Sequence, residues 1–181
     1  MQSSPAGAPS LTKLFHPIVQ AALEDLDIAD EGVADHLTSL LTRFALADEL
    51  WAVAATGTRL DGIADHWIAI GRRRASAAPA DLVAAARLER QLGDHALFMS
   101  GMFWERVRGH SMRHHYTFVG RRAYRAAALF EGPEQATLLR RIADLFDKYA
   151  GALSYLREVY LDGDFGPAPA WARPRLVVDW R

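Results

Sequence analysis

The residue with the most chemistry to account for is Asp94, inside the apolar run Leu92 to Trp104, LGDHALFMSGMFW. Apolar residues there fall all round a helical wheel, the pattern of a helix buried on every side. A carboxylate in such a helix must be hydrogen-bonded, ion-paired, ligand-bound or protonated, because burying an unpaired charge is costly. The plainer reading has Gly93 break the helix and Asp94 cap a new one. Stepping about 100° per residue puts Leu92, Ala96, Met99, Phe103 and Val107 on one stripe, and Asp94, Phe98, Gly101 and Glu105 on another. The second stripe offers a carboxylate, a ring and a gap.

Downstream, Tyr116, Gly120 and Tyr124 recur every fourth residue, setting two phenols on one helix face with a gap between them. Glycine inside a helix costs about 1 kcal/mol relative to alanine, so it marks a close approach. The residues Asp94, Phe98, Gly101, Tyr116, Gly120 and Tyr124 are therefore the expected ligand-binding set. The competing account is a tight crossing of two helices at these glycines, with both tyrosine rings in the core.

Three Asp-His pairs, Asp35-His36, Asp65-His66 and Asp94-His95, occur at nearly even spacing. The residues that follow them do not align, so the spacing does not establish a repeat. Aspartate and neutral histidine are ligands for iron or zinc, which makes His36, His66 and His95 the candidate metal ligands. Neighbours on a helix point about 100° apart, so the ligands would have to converge from three helices. Surface or capping roles are the alternative. The stretch RVRGHSMRHHY gathers Arg106, Arg108, His110, Arg113, His114 and His115. Gly109 and Ser111 predict a loop there, so His110 and His114 are expected to form a solvated basic loop rather than a metal clamp.

The motif inventory removes several enzyme classes. There is no Glu-x-x-His pair for a di-iron bundle, no His-Glu-x-x-His, no Gly-x-x-x-x-Gly-Lys phosphate loop and no Gly-x-Ser-x-Gly elbow. No cysteine is present, which excludes disulfides, thiolate metal sites and cysteine nucleophiles. Haem or non-haem iron survives, since haem needs only an axial histidine and an apolar slot.

The elements that would position these residues read as helices. One runs from a Ser10 cap to Leu26, with Pro17 kinking it or moving its start, and a second from Asp30 to about Trp51. After a loop over 54–62, a third spans Leu60 to Arg74, and 80–108 forms a long central helix. Another carries Tyr116 to Ala127, and the last starts at Pro133 and keeps helical period to Val159, packing across the central helix. The fold class is all-α, one domain of five or six helices around a buried central helix. Residues 1–9 read as a disordered tail, 10–162 as the helical domain and 163–181 as an extended tail.

Of the 181 residues 50% are hydrophobic and 24% charged, with a formal net charge of −1. That is ordinary globular composition, with no electrostatic footprint for nucleic acid. The first residues, MQSSPAGAPS, lack a basic start and apolar core, and no run is long enough to span a bilayer. The expectation is a cytoplasmic protein with no membrane partner.

The ordered residues Gly93-Asp94, Leu97-Phe98, Gly101 and Phe103, then Tyr116, Gly120 and Ala123-Tyr124, resemble the central block of a family of uncharacterised bacterial all-helical proteins. The likeness extends more weakly to the Leu37–Phe44 and Leu145–Val159 helices. It implies a self-contained bacterial helical domain with no assigned reaction. The expected function is a non-catalytic helical interaction or ligand-binding module, acting as a homodimer or with a protein partner and binding a small molecule near Asp94. The apolar face of the last helix, with Trp171 and Trp180, motivates this. The alternative is a helical-bundle enzyme using haem or non-haem iron.

Overall fold

Residues 8–45, 52–53, 59–60, 63–76, 78–103 and 110–161 are described by a computed structural model. The described residues are all-α apart from one two-residue strand pair, and hold seven α-helices rather than five or six. Helix α1 is Ala8–Asp25, α2 Glu31–Ala45, α3 Ile63–Ser76, α4 Pro79–Met102, α5 His110–Ala127, α6 Pro133–Asp144 and α7 Phe146–Leu156. A 3₁₀ turn, Ala128–Phe130, follows α5, and a π-helical turn, Arg157–Leu161, follows α7. None of the described helices is long and apolar enough to cross a membrane. The chain divides into two compact units, 1–50 with 151–181, and 51–150.

In the first unit α1 and α2 pack together. Phe15, Val19, Ala22 and Leu23 recur at helical spacing on α1, and Val33, Leu37, Leu40 and Leu41 on α2, all buried. Helix α1 begins at Ala8, ahead of the expected Ser10 cap, and runs through Pro17. Its end is a chain reversal built on backbone hydrogen bonds. Ile28 N–H donates to the Leu23 carbonyl at 2.8 Å and Asp27 N–H to that of Glu24 at 3.0 Å. With Asp27 at φ 53° and both Leu23 and Ile28 buried, this is a Schellman motif with aspartate where glycine is usual. Asp30 then caps α2, its Oδ1 accepting from Val33 N–H at 3.1 Å. At the chain's other end the π turn brings Tyr160 beside Tyr155, and both hydroxyls donate to Asp25, at 2.6 and 3.1 Å. That carboxylate pushes the Tyr160 phenol up to about 12.

In the second unit α4 is flanked by α3 and α5, while α6 packs against α5. Ile70, Leu88, Leu92, Val119 and Ala123 form the apolar seam of the first three. Pro133 opens α6 as expected. The expected long final helix is interrupted at Leu145, whose φ −106° and ψ 27° leave the helical region. One displaced residue barely alters the apolar spacing, so periodicity carried no trace of the break.

The expected loop over 109–113 is corrected too, because α5 starts at His110. Serine costs a helix interior only a few tenths of a kcal/mol, which tertiary packing overrides. Ala52–Val53 and Arg59–Leu60 pair antiparallel, Ala52 opposite Leu60, around part of the segment expected to be loop. A two-residue strand is too short for any alternation to register. The helix ends expected at Trp51 and Arg108, the N-terminal residues before Ala8, and the tail with Trp171 and Trp180 lie outside the described residues.

Asp27 pays a left-handed backbone penalty that glycine does not. Asp27→Gly is expected to stabilise the protein by about 0.5–1 kcal/mol, read as a higher urea midpoint at unchanged slope.

Candidate functional site

Helix α4 stays continuous through Gly93 and Asp94, so Asp94 does not cap a new helix. It is 1% exposed, and the Tyr124 hydroxyl donates to its Oδ1 at 2.7 Å. The sequence demanded a partner for this carboxylate, and a phenol from α5 is one. Gly93, one residue earlier, explains how Tyr124 comes so close. A Cβ at position 93 would lie 2.9 Å from Tyr124 Cδ1 and 3.0 Å from Cε1 and Cγ. The space that glycine leaves is taken by the tyrosine ring.

Gly120 does the same for a different ring. A Cβ there would meet Phe146 Cε2, lie 2.6 Å from Phe146 Cζ and 3.1 Å from Ala96 Cβ. The gap expected between Tyr116 and Tyr124 is therefore filled by Phe146, whose ring centre is 6.5 Å from that of Tyr124. Phe98, also buried, stands edge-on to Phe103 with centroids 5.5 Å apart. Gly101 is buried in the last turn of α4. In the expected ligand set, Asp94 meets Tyr124, whose ring neighbours the Phe146 that lies against Gly120, while Phe98 faces Phe103 and Tyr116 a histidine.

That histidine is His95. Its ring centre lies 6.4 Å from Tyr116 and 6.0 Å from His66 of α3, with interplanar angles of 30° and 32°. His66 is 2% and His95 9% exposed, while Tyr116 is half-buried. Burial, reinforced by the neighbouring His66, pushes the His95 imidazolium down to about 4, so the ring is neutral at physiological pH. Burial also raises the Tyr116 phenol. Of the three expected metal ligands, His66 and His95 come together, and His36 is a buried residue of α2 in the first unit. Among the described residues no group of three or more His, Asp or Glu side chains could hold a metal ion. His114, from the basic stretch, is exposed.

Sequence reasoning passed over Glu89. It is 1% exposed, its Oε1 accepts from Arg74 Nη2 at 2.8 Å, and its Oε2 is buried with no hydrogen-bond partner among the described residues. Burial raises its carboxyl, against the opposing pull of the Arg74 and Arg122 charges. Arg122 lies over Trp67, 4.3 Å from the ring centre, a cation–π contact between α5 and α3. The signal was available: Glu89 follows Leu82 by two turns and falls beside the stripe of Leu92 and Ala96. Within the charged run Arg87-Leu88-Glu89-Arg90 it reads as surface.

Glycine-to-alanine scanning separates the two kinds of glycine. Gly71 and Gly151, where among the described residues a Cβ would meet nothing within 4 Å beyond its own turn of helix, should gain about 0.5–1 kcal/mol as alanine. Gly93→Ala should instead lose about 1–3 kcal/mol and Gly120→Ala at least as much, since rings must move. Calorimetric melting of the four variants reads the sign. Acid stability tests His95 separately. The unfolded imidazole protonates near 6.5 and the folded one near 4, so between these values the unfolded state holds more protons. Stability contributed by neutral His95 is full above pH 6.5 and falls as pH drops to 4, by on the order of 3 kcal/mol. Urea titrations of chelator-treated protein at several pH values should show this slope, reduced in His95→Gln. Comparison with known protein families, with curated proteins and with solved structures returns no match to this chain.

Proposed function

We propose that the chain is a non-catalytic helical interaction module, with α4 as its central helix, which self-associates through the outer face of α5. The observation that supports this is the apolar exposure there: Phe118 is 65%, Leu129 72% and Phe130 47% exposed. Phe118 lies on α5, and Leu129 and Phe130 lie in the 3₁₀ turn that follows it. Large exposed apolar groups gathered on one side, unlike single scattered ones, mark interaction surfaces.

Arginine interleaves the stripe, as it does in many protein interfaces. Arg122 and Arg125 stand between the two apolar ends, Arg122 over Trp67 and Arg125 bonded to Asp144 at 2.8 Å. These contacts hold both guanidinium groups in place, which lowers the entropy lost on association. The small-molecule reading near Asp94 has less support, because Tyr124 and Phe146 occupy the room that Gly93 and Gly120 leave. The likeness of the Gly93–Tyr124 block to an uncharacterised bacterial helical family supports a bacterial setting.

The test is native mass spectrometry and sedimentation over a concentration series. A mass above the 20.1 kDa monomer that grows with concentration is expected, with Phe118→Ser/Leu129→Ser weakening association tenfold or more, about 1.4 kcal/mol. A monomer at every concentration, identical in the double variant, would contradict the proposal.

A further inference from the structure

We propose a second, separate role for this chain: His66, His95 and Tyr116 form a binding site for a borderline transition-metal ion, Cu(II) in the first instance. The donors come one each from α3, α4 and α5. The site does not depend on the association face of α5.

Four observations carry it. First, the two imidazoles are buried and adjacent, at 6.0 Å between ring centres. Two imidazoles bound to one ion at about 2.0–2.1 Å have ring centres roughly 5 to 6.5 Å apart, so small side-chain movements bring both to a common ion. Second, the set holds a third donor of a different kind, the phenol of Tyr116, 6.4 Å from His95 between ring centres. Third, the helices that carry the donors pack against one another, α3 and α5 both on α4, so the fold itself holds the cluster together. Fourth, Tyr116 is half-buried, which leaves the cluster an edge toward solvent for entry of the ion.

The donor chemistry selects the ion. Imidazole suits copper, zinc, iron and nickel, and copper binds most strongly among the divalent first-row metals at a given nitrogen and oxygen site. A ligating phenol loses its proton to solvent and becomes phenolate. Asp94, next to His95 in the chain, has its Oδ1 engaged by the Tyr124 hydroxyl at 2.7 Å. His36, expected in the same set from sequence, is replaced by the tyrosine.

Tag-free full-length protein titrated with copper(II) chloride, followed by calorimetry and visible absorption, tests the site. One ion per chain is expected, with a phenolate-to-copper charge-transfer band. Tyr116→Phe should abolish the band while the helical circular dichroism is unchanged. His66→Gln and His95→Gln should each weaken binding by about 100-fold or more, whereas His36→Gln and His114→Gln keep full affinity. Absence of saturable binding by the parent protein would overturn the proposal. So would a band that survives Tyr116→Phe, or undiminished affinity in both His66→Gln and His95→Gln.

Discussion

Helix α4 buries polar groups that cannot stay buried alone, and the rest of the second unit is arranged to meet them. Glu89, Asp94 and His95 are each 9% exposed or less. An ionised carboxylate away from water needs hydrogen bonds or an opposite charge. Helix α5 supplies the Tyr124 hydroxyl to Asp94, α3 supplies the Arg74 guanidinium to Glu89, and His66 lies beside His95. Each pairing fixes which turn of one helix faces which turn of another. Apolar contacts alone would tolerate a slip of one turn, because leucine and alanine pack acceptably in several registers. A slip here would strand a buried carboxylate, which costs several kcal/mol.

The glycines follow from the same constraint. Tyr124 reaches Asp94 with its ring lying where a Gly93 side chain would be, and Phe146 lies against Gly120. Each helix thus accepts a residue of poor helical propensity in exchange for close approach of a ring. The seam of Ile70, Leu88, Leu92, Val119 and Ala123 then closes between the polar pairings. This unit is therefore specific in register, and it leaves Phe118 of α5 exposed together with Leu129 and Phe130 of the following 3₁₀ turn.

The parts legible in the sequence were those with a strong local cause. The all-round apolar run marked α4 as buried, and the cost of a buried carboxylate implied a partner for Asp94. Pro133 and Asp30 marked the starts of α6 and α2 because each acts through its immediate neighbours. Hidden were features that depend on tertiary contact. Glu89 looked like surface because its burial is decided by Arg74, fifteen residues away. Tyr116 and Tyr124 share a helix face, yet the structure divides them, one toward His95 and the other toward Asp94. The break at Leu145 leaves the apolar period nearly intact, and the helical start at His110 opposes its local glycine and serine signals.

The central claim is that buried polar pairings hold α4 against its neighbours, and a double-mutant cycle on Asp94 and Tyr124 tests it most directly. Equilibrium unfolding of the parent, Asp94→Asn, Tyr124→Phe and the double variant gives their coupling. The account predicts that the two losses are not additive, with an interaction of about 0.5–3 kcal/mol, as for residues in direct contact. Additive losses, with no coupling beyond a few tenths of a kcal/mol, would mean that Asp94 is held without Tyr124, and would contradict it.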